Sequence, residues 1–363
     1  MELQVTQENI NKAFSSVSRV ASSRGTLPIL SNVLVKTTGN RLSISATNLD
    51  IAVTHYIGSK VKNEGSITIP AKLTHDFISS LPTGVVDIKL NDNKLYINTE
   101  KFESVINGIS SDEFPVMPTI NNGKEWHIPS KKLKTSLGQV IGSASSDESR
   151  PVLTGVYIYS SENNLFIVAT DSYRLAEKTV QEVENEINVL VPASAMQELL
   201  RILGDYSGEV VIISDEQQIL FKVGEIELVA RLIEGSYPDY KKLIPQKFET
   251  TAIVKKEDFV NITKVSSLFA RESAGSVNIQ LNSEDNTISI HSIASQLGEN
   301  TATADAKIKG QGSITLNSRY ILDALSACEG EEIEFSFNGK LEPCVIRNPK
   351  KKDYLHIIMP LKS

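Results

Sequence analysis

Cysteine is nearly missing from this 363-residue chain: Cys328 and Cys344 are the only two, and they share no motif spacing. That argues against a disulfide framework and a cysteine-built metal site, and it fits a reducing compartment. Long apolar runs are missing too. None approaches the roughly 18 residues that span a bilayer, so no membrane partner is expected. The opening Met1-Glu2-Leu3-Gln4 lacks a basic region followed by an apolar one, so no secretion signal is read and a cytoplasmic protein is expected.

The signatures of catalysis are equally scarce. No Gly-x-x-x-x-Gly-Lys-Ser/Thr phosphate loop and no Gly-x-Ser-x-Gly elbow occurs, and Gly310-Gln311-Gly312 lacks the third glycine of a dinucleotide fingerprint. The five histidines, His55, His75, His127, His291 and His356, form no i, i+4 pair and have no cysteine neighbours. The carboxylate pairs Asp112-Glu113 and Asp147-Glu148 lie in loops, where adjacent side chains rarely converge on one substrate. The expectation is a protein with no catalytic site, no metal and no cofactor. Lys350-Lys351-Lys352 reads as a solvated hairpin tip.

What is present is a threefold echo. Residues 8–24 place Ile10, Ala13, Phe14, Val17, Val20 and Ala21 on one face of a 3.6-residue period. Strand-like runs follow at 29–36 and 41–46 around Thr38-Gly39-Asn40, a pair suited to a tight turn. A second helix carries Leu73, Phe77 and Leu81, and three strands close the unit at 85–90, 95–99 and 102–106. The same order restarts with a helix over 130–144 and again with one from Lys256 whose face is Phe259, Ile262, Val265 and Phe269. Recurrence at roughly 120 residues suits domains rather than a solenoid. One-faced helices must lie on a sheet, so the fold class is α+β: three similar domains at 1–124, 125–248 and 249–363, each with two helices on antiparallel sheets. The links between them are Pro-bearing, around Pro115 and Pro118 and around Pro238 and Pro245.

Charge is unevenly spread. The total is −7, which speaks against nucleic acid, yet the stretch 9–49 contains no acid and carries Lys12, Arg19, Arg24, Lys36 and Arg41. The helix beginning at Ser130 is also acid-free and holds Lys131, Lys132 and Lys134, and the third unit's helix holds Lys264 and Arg271. Any one such helix is an ordinary solvated face; three in register suggest a mildly positive surface. Dispersed cations would follow phosphates without reading bases.

The stretch Val168-Ala169-Thr170-Asp171-Ser172-Tyr173-Arg174-Leu175-Ala176 runs from an apolar strand through a polar turn to a ring, a cation and an aliphatic group. It suits either a small recognition surface or a loop covering core. Together with Thr26-Leu27-Pro28-Ile29-Leu30, Tyr237-Pro238-Asp239-Tyr240 and Met359-Pro360-Leu361, it resembles the bacterial replicative sliding-clamp family, the beta subunits of DNA polymerase III, over the whole chain. The resemblance implies a DNA clamp fold, with two copies joined head to tail as a homodimer ring of six domains. Helices would line the hole and duplex DNA would thread it. The implied partners are that duplex, a second copy, the polymerase III alpha subunit, the clamp loader and other proteins bearing a clamp-binding motif.

The resemblance also implies site residues. Thr170, Tyr173, Arg174 and Leu175 would form one wall of a peptide groove rimmed by Arg174. Leu153, Pro238, Lys242 and Leu243 would occupy further groove positions, as would Pro343, Met359, Pro360 and Leu361. Arg24, Arg150, Lys72 and Lys242 would approach DNA, and Leu268 and Phe269 would meet the second subunit. The family often has His where Tyr173 stands and Arg where Lys242 stands, differences that bear on partner preference. The competing readings are a scaffold of three domains that never closes round DNA and, more remotely, an enzyme acting on nucleic acid.

Overall fold

A computed structural model describes residues 1–21, 27–120, 123–295 and 298–361. They form two compact units, Met1–Lys131 with Gln197–Leu232, and Lys132–Met196 with Ile233–Ser363. The described residues include six α-helices, two in each third of the chain: Gln7–Val17 and Ala71–Ser80, Ser130–Val140 and Ala193–Leu203, Lys256–Phe269 and Ser318–Ala327. The second helix of each pair starts directly after a strand, Ser66–Pro70, Asn188–Pro192 or Gly312–Asn317. All strand pairing is antiparallel, which is the α+β arrangement expected of one-faced helices on sheets.

The helix faces follow the sequence period with instructive exceptions. Gln7–Val17 buries Ile10, Ala13, Phe14 and Val17 as expected, but it ends at Val17; residues 18–21 turn away from the helix, and 22–24 of the expected run lie outside the described residues. The helix expected over 130–144 stops at Val140 and finishes in a 3-10 turn, Ile141–Ser143. Ala71–Ser80 turns Ala71, Thr74 and Ile78 inward and leaves Leu73 exposed. Thr74 can sit inside because its hydroxyl donates to the Pro70 carbonyl at 2.7 Å, so no polar group is left unpaired. Lys256–Phe269 likewise buries Thr263 and Ser266, and Val265 faces outward. The run expected as a strand from Ile29 begins instead as a 3-10 turn, Pro28–Ser31, with proline fixing the first φ, and the strand is Asn32–Thr38.

In the first unit a five-stranded sheet runs Lys60–Asn63, Glu2–Thr6, Val85–Asn91, Lys94–Asn98, Glu103–Asn107. An eight-stranded sheet joins early and middle parts of the chain where Ile51–Gly58 pairs with Ile226–Arg231. The second unit holds a twelve-stranded sheet, joined in the same manner where Arg174–Glu182 pairs with Lys351–Ile358, Arg174 opposite Ile358. The strands Ile51–Gly58, Arg174–Glu182 and Gly298–Lys309 went unread in the sequence; each is the third strand after a hairpin.

Candidate partner groove and nucleic-acid interface

The turn 170–174 is over-determined by its own side chains. The Thr170 hydroxyl donates to the Arg174 carbonyl at 2.7 Å and accepts from the Ser172 N–H at 3.1 Å. Asp171 Oδ1 accepts the N–H groups of Tyr173 and Arg174, both at 2.9 Å. These bonds hold Ser172 at a φ of 78°, a left-handed conformation uncommon for a residue with a Cβ. Tyr173 is left exposed, whereas Thr170 and Leu175 are buried. Leu175 packs with Tyr159, Val168, Tyr240, Val345 and Ile357, so it supports the site from within.

Arg174 begins a strand instead of closing a loop, and its side chain is only 11% exposed. Its Nε donates to Asp171 at 3.2 Å and its Nη2 to the Gly142 carbonyl at 2.6 Å. A third bond goes to the Asp323 carboxylate, and the guanidinium lies 4.6 Å from the Tyr320 ring centroid. A cation so fully engaged is a brace between turn and helix. Burial and the Asp171 charge hold the Tyr320 phenol above its usual range. Asp323 and Tyr320 were missed in the sequence, since polar residues on a helix carry no sign of what they face.

The chain's end meets this turn. The Met359 N–H donates to the Tyr173 carbonyl at 2.8 Å, the Leu361 N–H to the Thr315 carbonyl at 2.9 Å, and Met359, Pro360 and Leu361 are half-buried. The connector supplies another flank. Pro238 is exposed, and the 3-10 turn Tyr240–Leu243 presents Lys242 and the exposed Leu243. Lys242, Leu243 and Pro343 line one open pocket of about 500 Å³. Lys242 donates to Asp239 at 2.8 Å, and that contact holds its ammonium above the usual range.

The connector is pinned by aromatic rings that no single motif announced. Tyr157 stacks on Tyr159 at 4.8 Å and on Tyr237 at 4.7 Å, and Lys241 lies 5.3 Å from the Tyr159 ring centroid. The Tyr159 and Tyr240 hydroxyls are 2.6 Å apart, and Tyr240 donates to Glu177. Burial raises the Glu177 carboxyl above its ordinary range and pushes the Tyr159 phenol up to about 12. Leu153 is buried in the 3-10 turn Pro151–Thr154. Arg150 bonds Asp147 at 3.3 Å and the Ser172 hydroxyl at 3.0 Å, which makes it a second brace on the turn.

Of the four DNA candidates, three fall on described residues. Arg150 is bonded to the turn 170–174, Lys242 lies on the connector pocket, Lys72 is exposed on a helix of the first unit, and Arg24 falls outside the described residues. The acid-poor helices do turn cations outward: Lys12, Lys132, Lys134 and Lys264 are exposed. Leu268 is 54% exposed and Phe269 half-buried at the end of Lys256–Phe269. Among the described residues no group of three His, Cys, Asp or Glu side chains could hold a metal ion.

Comparison with known proteins agrees along the full length. Family models described as the N-terminal, central and C-terminal domains of the DNA polymerase III beta subunit match residues 1–118, 127–239 and 241–362. The beta sliding clamp of Bacillus subtilis (strain 168) is 31% identical and that of Staphylococcus aureus (strain Mu50) 29%, each match covering 100% of both chains. Among solved structures, a DNA polymerase sliding clamp from Bacillus subtilis superposes with a TM-score of 0.96 at 30% identity, covering 100% of this chain and 99% of that one. The DNA polymerase III beta subunit from Thermotoga maritima gives 0.94 at 25% identity with the same coverage.

Proposed function

This chain belongs to the DNA polymerase III beta-subunit family of sliding clamps, and from that premise we propose that two copies close head to tail round duplex DNA and tether the replicative polymerase. The family is one of processivity factors without a catalytic site of their own, so function lies in topology and in partner contacts. The observation that carries the reading is the match of three clamp-domain models in succession along one chain. The domain borders we adopt are 1–124, 125–248 and 249–363, each enclosing one helix pair.

Three features support the finer parts. Exposed lysines on acid-poor helices suit a duplex that must slide, because evenly weak phosphate contacts impose no register. Unpaired backbone is available for a second copy: Glu103–Asn107 is a sheet edge, and residues 298–305 of Gly298–Lys309 have a strand on one side only among those described. The exposed Leu268 adds apolar surface in the second unit. In the groove, Tyr173, Pro238, Leu243 and Met359 offer apolar contacts to a short peptide of the polymerase alpha subunit, the clamp loader or another clamp-binding-motif protein. Arg174, Arg150 and Leu175 hold that surface in shape. No described helix is long and apolar enough to cross a membrane, and we place the protein in the cytoplasm with the DNA it would serve.

The test is topological. Protein loaded on nicked circular DNA should stay bound through gel filtration and run off once the circle is cut. Equal retention on circular and linear DNA would leave a scaffold that never encloses the duplex.

A further inference from the structure

Outside the groove, the first unit holds a cleft of about 1000 Å³ whose walls carry Lys12, Arg19, Arg41 and Arg201 against Asp205 and Glu225. Arg41 is already tied to Glu225. Lys12 has no ion-pair partner among the described residues. Arg19 and Arg201 differ from both. They reach the cleft from separate elements, Arg19 just past helix Gln7–Val17 and Arg201 on helix Ala193–Leu203, and they share one carboxylate, Glu198.

Glu198 does not line the cleft, and its side chain is 6% exposed. Its Oε1 accepts from Arg19 Nε at 3.3 Å and its Oε2 from Arg201 Nη1 at 2.9 Å. A carboxylate so buried must be compensated, and two guanidinium groups do so. Each arginine spends one N–H on the acid and is about half exposed, so further donors of both planar forks remain for a second acceptor. Among the described residues neither finds one. Two forks fixed by a shared buried acid, with an exposed lysine lining the same cleft, offer the planar donors that a phosphate's oxygens accept.

We propose that this cleft seats a phosphodiester of the duplex backbone, with Arg19 and Arg201 contacting it and Glu198 positioning both. The proposal rests on the DNA-encircling reading above and assigns it a specific contact. Lys12 adds charge without geometry, and Glu198 trades one negative charge for two fixed cations.

That trade gives the test a sign. Binding of a labelled short duplex to the full chain is measured by fluorescence anisotropy over a range of salt. Arg19→Gln and Arg201→Gln should each weaken binding about threefold at low salt and reduce the logarithmic salt slope by about 0.9, one phosphate contact. Glu198→Gln removes a negative charge, so charge alone would tighten binding, whereas loss of positioning weakens it about threefold. Should Glu198→Gln fail to fold, Arg201→Lys replaces it: the charge stays, the fork goes, and weaker binding is expected. Wild-type affinity and slope in both Arg19→Gln and Arg201→Gln, or tighter binding by Glu198→Gln, would overturn the proposal. So would inorganic phosphate at constant ionic strength occupying the cleft without displacing the duplex. A wild-type chain that neither binds duplex nor stays on circles would instead overturn the encircling reading.

Discussion

Two turns in this chain share one set of hydrogen bonds and carry different side chains. In the turn 47–51, the Thr47 hydroxyl donates to the Ile51 carbonyl at 2.9 Å and accepts from the Leu49 N–H at 3.0 Å. Asn48 Oδ1 accepts from Asp50 and Ile51 at 3.1 and 2.8 Å, as Asp171 does from Tyr173 and Arg174. Leu49 has a φ of 79° where Ser172 has 78°. The Arg231 N–H donates to the Asp50 carbonyl at 2.9 Å, matching Met359 on Tyr173 at 2.8 Å. Each turn leads into the strand that joins successive parts of its sheet. The backbone device thus belongs to the repeated fold, and what marks the second copy is its dressing: Tyr173 where Asp50 stands, and an engaged Arg174 where Ile51 stands.

Acid should separate folded from unfolded chain most strongly, through one histidine in each unit. Burial, aided by Lys12, holds His55 on Ile51–Gly58 down at about 4, and burial with the Arg174 charge holds His356 on Lys351–Ile358 down at about 3. Both stay neutral when folded, while the unfolded chain titrates at the ordinary 6.5. Their contribution is complete above that pH, and below it each histidine costs about 1.4 kcal/mol of stability per pH unit until its folded value is reached. Urea midpoints should fall steeply from about pH 6.5 to about pH 4.5, and His356→Gln should flatten the fall. A midpoint constant across that window would refute the assignment.

Removing the turn acceptors sharpens the comparison. Asp171→Ala orphans two N–H groups and takes a carboxylate from Arg174, so it should cost about 2–3 kcal/mol. Asn48→Ala orphans the two corresponding donors, the N–H groups of Asp50 and Ile51, with no cation involved and should cost about 1–2 kcal/mol. Equal losses in urea denaturation would show that the Arg174 brace adds nothing. The smallest effect is in binding: Tyr173→Ala and Met359→Ala should each weaken an apolar clamp-binding peptide by about 1–2 kcal/mol, with Asp50→Ala neutral. Arg174→Ala should weaken binding similarly but also lower stability, because it strips Asp323 and Asp171 of their cation. Peptide affinity unchanged in all three groove variants would remove the site.

Periodicity made the first helix of each unit legible, and the first hairpin followed from Gly39 and Asn40 at its turn. It could not show that Thr74, Thr263 and Ser266 would turn inward, because an inward hydroxyl depends on a carbonyl being within reach. The third strand after each hairpin escaped for a related reason: Arg174–Glu182 mixes charged and apolar residues, and Lys178 is buried only by virtue of its 2.6 Å bond to Asp353. At the groove, the resemblance named the residues without dividing their tasks. Tyr173 and Leu243 reach solvent, while Leu175, Leu153 and Arg174 are turned inward, a division set by partners such as Asp323 that lie 149 residues away in sequence.

The join between Arg174–Glu182 and Lys351–Ile358 has a mechanical side. A protein that holds a moving enzyme must bear load, and a peptide seated beside Tyr173 and Met359 would pull on the adjacent ends of these two strands. Along their length such a pull draws both strands the same way, so their five registered pairs, from Arg174–Ile358 to Lys178–Tyr354, move as one and the ladders on either side of them are loaded in shear. The neighbouring strands Asn164–Thr170 and Cys344–Asn348 carry that load into the rest of the twelve-stranded sheet. A peptide attached there would thereby be held by the whole sheet and not by two strands alone.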